Sequence, residues 1–124
     1  MRLFLLALLA LGCFAQDVPM RFYVLGILEK GPKWSPEVTP ESTEIQKGHM
    51  ANIGRLANEK KLILAGPLAS EGGDMRGIFV FDTDKLADAE AWCNTDPAVQ
   101  AGRLKVRLIR WYSAKGIGIL PAAK

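Results

Sequence analysis

The chain has a single histidine, His49, and two cysteines, Cys13 and Cys93. His49 opens the stretch HMANIGRLANEKKLILAGP, which runs to Pro67. Read at helical spacing, Ile45, His49, Ile53 and Leu56 share one stripe, so the imidazole faces the side on which a helix buries its apolar residues. An imidazole placed there has restricted access to water and a pKa that small environmental changes move across neutrality, which suits proton transfer. The same placement suits a histidine that only satisfies the core. Cys93 reads as a buried helix residue rather than a nucleophile. One His and one Cys do not make a zinc ligand set. Gly72-Gly73 precedes a strand and not a helix, so it is a turn and not a phosphate cradle. No metal and no cofactor is expected.

The elements that must position His49 follow from pattern. Met20 to Leu28 is a first strand rich in aromatic and branched residues. Phe22, Val24 and Leu28 point one way, and Tyr23, Leu25 and Ile27 the other. Glu29 to Glu41, proline-rich and carrying Trp34, reads as a loop of the length that often borders a site. Thr39-Pro40 supplies an N-cap and a first-turn proline for a helix running to about Lys60. Gly48 and Gly54 weaken it by about 1 kcal/mol each relative to Ala, or permit close packing. Leu62 to Leu68 and Gly77 to Asp82 form a hairpin around the Ser70 to Asp74 turn. Asp82-Thr83-Asp84 caps a second helix with Leu86, Ala89, Trp92 and Cys93 inward, and Asp96-Pro97 ends it. Pro97 to Gly102 is a short turn, Leu104 to Tyr112 the last strand, and residues 114–124 a loosely held tail.

The order is β-α-β-β-α-β, an α+β ferredoxin-like arrangement: a four-stranded antiparallel sheet with two helices on one face. Right-handed crossovers set the helices antiparallel, so the end of the second lies beside the first half or middle of the first. His49 stands roughly 14 Å along the first helix at about 1.5 Å per residue. Asp96 can therefore approach it.

Length and charge bound the remaining possibilities. Met1 to Ala15 reads as a cleaved export signal: Leu3 to Leu11 is too short for a permanent span, and Gly12-Cys13-Phe14-Ala15 suits a signal peptidase. The alternative is a lipoprotein attached through Cys13, since Leu11-Gly12-Cys13 resembles the end of a bacterial lipobox. The mature chain is then one domain, residues 20–113 carrying the fold, with a periplasmic or secreted location. It keeps one cysteine and cannot close an intrachain disulfide. Sixteen Lys and Arg against thirteen Asp and Glu leave a formal net charge of +3. The basic residues are dispersed, so nucleic acid is not an expected partner, and neither is a stable membrane span.

His49 with Leu62 and Ala65-Gly66-Pro67, Ala89-x-x-Trp92, and Asp96-Pro97-x-Val99-x-Ala101-Gly102 together resemble the YciI-like, or YCII-related, proteins. The resemblance covers Met20 to about Tyr112. It implies a dimeric ferredoxin-like protein of the dimeric α/β barrel group, with His49 and Asp96 as a catalytic pair. Some relatives act on chlorinated ring-cleavage or hydroxyquinone compounds and eliminate chloride. The export signal is a departure from such modules, which usually begin near their first strand. The resemblance also makes Gly66 and Pro67 a substrate-binding pocket wall, although a plain bend into the hairpin explains them equally. Arg76, Lys105 and Arg107 are candidates for steering an anion.

Three readings follow. In the first, the chain is a cofactor-free small-molecule lyase, isomerase or dehydrochlorinase in which Asp96 fixes the tautomer of His49 and the free ring nitrogen moves a proton. In the second, it is a non-catalytic module binding a small acidic or cyclic ligand. In the third, it is a structural dimer with a relic site. In each a homodimer is expected, because two helices cover one sheet face and the other would expose a large apolar patch.

Overall fold

The computed structural model describes residues 18–69 and 73–116. The export signal, Cys13 and the last eight residues of the tail lie outside the described residues, as do Ser70, Glu71 and Gly72 of the hairpin turn. The chain runs β1 (Met20–Lys30), α1 (Pro40–Asn58), β2 (Leu62–Pro67), β3 (Met75–Phe81), α2 (Leu86–Cys93), α3 (Pro97–Gln100) and β4 (Leu104–Ala114). The strands form one antiparallel sheet in the order β2-β3-β1-β4, the ferredoxin-like order. β1 is central, as its apolar residues on both faces require. It pairs along its whole length with β4, which extends two residues beyond the expected Tyr112.

The two sheet faces divide as strand alternation dictates. Val24, Leu28, Phe79 and Phe81 face the helices and join Leu56, Leu62, Ala89 and Cys93 in the core. On the other face Leu25 lies between Val80 and Ile109, Tyr23 beside Trp111, and Ile27 beside Ile78. Leu64, Ile109 and Trp111 are exposed there.

α1 begins where Thr39-Pro40 predicts. Thr39 is the N-cap, and the cap is reciprocal: Ser42 N donates to Thr39 Oγ1 at 3.0 Å and Thr39 N donates to Ser42 Oγ at 2.8 Å. The start of α2 differs from expectation. Asp82-Thr83-Asp84 does not cap it; Lys85 stands at the N-cap without a side-chain bond. The Thr83 hydroxyl instead accepts from Lys85 N at 3.1 Å and donates to Asp88 at 2.9 Å, folding the chain one step before the helix. The turn expected at Pro97 to Gly102 contains a helical turn, α3. Asp96 both follows α2 and caps α3, accepting from Ala98 N at 2.8 Å, and Pro97 occupies a first-turn position.

Of the two α1 glycines, only Gly48 meets a neighbour: a Cβ there would stand 2.9 Å from Pro97 Cγ, whereas one at Gly54 would meet open space. Gly48 thus lets α1 close on α3 at the point where the two residues next to this contact, His49 and Asp96, can meet.

Cys93 lies in the core. Burial, with the nearby Asp96 and Glu90 carboxylates, pushes its thiol up to about 12 from an ordinary 9.0. A thiol held protonated in the fold is a poor nucleophile. In a Cys13→Ser chain, Cys93 is therefore expected to resist a thiol reagent at pH 8 and to react on unfolding; rapid labelling of the native protein would contradict this. Because the folded value lies above the unfolded one, the contribution to stability is complete below about pH 9 and is lost as pH rises toward 12.

A buried His-Asp pair at the base of an apolar cavity

His49 and Asp96 are brought together by the α1–α3 contact. Nδ1 of His49 lies 2.6 Å from Oδ2 of Asp96, and the two side chains are 9% and 1% exposed. Oδ1 of Asp96 is held by Ala98 N, so the carboxylate is fixed at both oxygens. A carboxylate beside Nδ1 accepts the ring N–H and sets the tautomer, leaving Nε2 as the unprotonated nitrogen of the neutral ring. Every fully buried side-chain nitrogen and oxygen among the described residues has a partner, and the ring's hydrogen bond is at Nδ1, so Nε2 reaches open space. His49 is among the residues that line the cavity beside it. Phe79 stacks on the ring with centroids 6.2 Å apart and planes 24° apart.

The turn that carries Asp96 is tied to α1 a second time. Arg55 Nη2 donates to Asn52 Oδ1 at 2.8 Å and to Thr95 Oγ1 at 2.9 Å, while the Thr95 hydroxyl lies 2.6 Å from the Trp92 carbonyl. Glu59 takes the other end of the same guanidinium, and hydrogen bonds from Lys61 and Arg55 hold its carboxyl below the usual range. Asn52 occupies a buried position on α1 one turn after His49, which a purely apolar stripe does not predict. Ile45 and Ile53, expected to be buried, are half-exposed because the cavity opens between them and the sheet.

The cavity has a volume of about 400 Å³. Its inner wall is Leu28, Phe79, Ile53 and His49; Gly66 and Pro67 form part of the β2 side. Trp34, from the loop between β1 and α1, closes another side. Of the three basic residues singled out in the sequence, only Arg76 lines the cavity. Lys105 and Arg107 lie on the opposite sheet face, 3.9 Å and 3.1 Å from the carboxylate of Glu29. Arg103, which the sequence did not single out, is also in the lining. Its nearest signal was its place directly after Gly102, whose φ of +72° turns the chain into β4. Among the described residues no cluster of three or more His, Cys, Asp or Glu side chains could hold a metal ion, and no helix is long and apolar enough to cross a membrane.

Fold and site together define a small α+β domain of ferredoxin-like topology with a buried His-Asp pair under an apolar cavity. The family model of the YCII-related domain matches residues 23–112, most of the chain, and the chain belongs to that family. Comparison with curated proteins finds no match. Among solved structures the fold is similar to 5-chloro-2-hydroxyhydroquinone dehydrochlorinase from Burkholderia phenoliruptrix AC1100, in complex with 2,5-dihydroxybenzoquinone. The TM-score is 0.50 at 19% identity, over 70% of this chain and 92% of the other.

Proposed function

We propose that this chain is a cofactor-free small-molecule enzyme of the lyase, isomerase or dehydrochlorinase type, with His49 as the proton-transfer residue and Asp96 as its positioning residue. The observation that carries the reading is the 2.6 Å contact at Nδ1, which leaves Nε2 free on a ring that lines a cavity of about 400 Å³, room for a small ring compound. A substrate with an acidic C–H next to a carbonyl gives its proton to Nε2, and the C–H electrons move toward the carbonyl oxygen to form an enolate. In an elimination the enolate electrons then form a C=C bond to the neighbouring carbon as the C–Cl pair leaves from that carbon with chloride, and the imidazolium gives its proton to water; in an isomerisation the imidazolium returns the proton to another carbon. Asp96 holds the ring and stabilises the imidazolium between the two steps. The dehydrochlorinase with this fold suggests chlorinated hydroxyquinones as first compounds to test, and lactones extend the panel. Turnover by the wild type that His49→Ala abolishes supports the enzyme. Saturable binding without turnover makes the chain a binding module, and neither result makes the site a relic.

The proposed protein is also exported and dimeric. Cleavage after Ala15 gives a mature N-terminus at Gln16, or a diacylglyceryl group on Cys13 in the lipoprotein alternative. Mass spectrometry of protein from its native host distinguishes these, and an intact Met1 in the cytoplasmic fraction would end the export reading. The dimer rests on the sheet face that the helices leave bare, where Leu64, Ile109 and Trp111 are exposed around the half-buried Leu25, Ile27 and Ile78. A two-fold contact of like faces burying about 800 Å² per partner is ordinary for a stable interface. Light scattering is expected to give twice the monomer mass at micromolar concentration. A folded, soluble monomer would contradict the dimer.

A further inference from the structure

Resting on the reading of this cavity as the substrate site, we propose that its ligand is an organic anion, a ring compound carrying one acidic group, and that Arg76 and Arg103 receive that group. Two adjacent loop residues bring the guanidinium groups to one rim. Arg76 lies 5.7 Å from the centroid of the Trp34 ring, and Arg103 Nη2 donates to the carbonyl of Ser35 at 3.0 Å.

Each arginine reaches the rim by a specific local device. In β3, Gly77 faces the helices opposite Leu28, so simple alternation would send Arg76 to the other face. A bulge intervenes: Leu28 pairs with Gly77 but Glu29 with Met75, leaving Arg76 as the extra residue, and it lines the cavity. Bulges commonly re-aim a side chain in this way. Arg103 follows the left-handed Gly102 and is drawn toward the loop by its bond to Ser35, across a sequence separation of 68 residues.

The charge balance selects the ligand. Among the described residues, Arg76 and Arg103 are, apart from His49, the ionisable side chains of the lining, and no Asp or Glu side chain lines it; Glu41 shares a smaller neighbouring cavity with Arg103. The ion pairs of the described residues engage other cations: Arg21 with Asp82, Arg55 and Lys61 with Glu59, Lys105 and Arg107 with Glu29. Among the described residues, the hydrogen bonds that Arg76 and Arg103 make are to the carbonyls of Met75 and Ser35, and each guanidinium carries further N–H donors. Two cations over low-dielectric walls attract an anion, and the guanidinium fork matches a carboxylate or an enolate. Leu28, Ile53 and Phe79 then take the apolar ring.

Calorimetric titration of the purified protein with benzoate, salicylate and 2,5-dihydroxybenzoate, each against its neutral methyl ester, tests the proposal. At least one acid is expected to bind about tenfold or more tightly than its ester, and added salt is expected to weaken the acid alone. Arg76→Gln and Arg103→Gln should each cost the acid about tenfold and leave the ester unchanged. Esters that bind as well as the acids overturn the proposal, and so does the absence of saturable binding by all three acids. The salt dependence reads the same charge in the wild type should a variant fail to fold. Titration reads binding alone: acids that bind without any turnover in the panel above defeat the enzyme and leave the anion site standing, while turnover with no preference for acid over ester does the reverse.

Discussion

His49→Gln is expected to lower turnover of any substrate by about 10²- to 10⁴-fold, the usual contribution of a positioned general base, while leaving substrate affinity within a few-fold of wild type. Glutamine approximates the polar bulk of the ring and keeps a donor for Asp96, so the carboxylate is not stranded. The loss should then fall on kcat rather than on KM. Equal turnover by the variant would mean that the proton goes elsewhere and that His49 is a core residue satisfied by Asp96. Steady-state kinetics on whichever compound the panel identifies decides between them.

Asp96 offers the second large effect, because two substitutions there separate chemistry from stability. In Asp96→Asn the side-chain oxygen can still accept from Ala98 N and cap α3, but the amide would donate to Nδ1. That inverts the tautomer, turning Nε2 from acceptor to donor. Turnover is expected to fall by about 10²- to 10⁴-fold with stability changed by under about 1 kcal/mol. Asp96→Ala removes the cap and strands a buried ring nitrogen, and is expected to cost about 2–4 kcal/mol of stability as well. Paired denaturation and rate measurements check both. An asparagine variant as active as wild type would show that the tautomer does not matter.

How much of this arrangement could be read in the sequence depended on the range of the interactions concerned. Thr39-Pro40 marks the start of α1 because its reciprocal cap with Ser42 lies within three residues. The topology was legible because strand and helix periods alternate in an order with few right-handed solutions. Asp82-Thr83-Asp84 misled, since three consecutive residues able to cap leave the choice to Asp88, which takes the Thr83 hydroxyl. Asp96-Pro97 was read as a stop for one helix, and it also starts another. Asn52 did not stand out in the sequence, since its partners include Thr95, 43 positions away.

The cavity was the least legible part. Lys105 and Arg107, read with Arg76 as candidates for steering an anion, alternate with Leu104, Val106 and Leu108 and lie on the other face, whereas the bulge that turns Arg76 inward is visible only in the pairing of β3 with β1. Arg103 is set by a contact with Ser35, and nothing local marks it. Trp34 lies in the loop expected to border a site, but its position against the cavity required the fold.

The central claim is that Asp96 holds Nδ1 so that Nε2 is the free base. Because the chain has one histidine, a nitrogen-15 NMR spectrum of the labelled protein reports on this ring without ambiguity. At a pH where the imidazole is neutral, the account predicts the proton on Nδ1 and an unprotonated Nε2, with Asp96→Asn exchanging the two. A wild-type spectrum with the proton on Nε2 would contradict it.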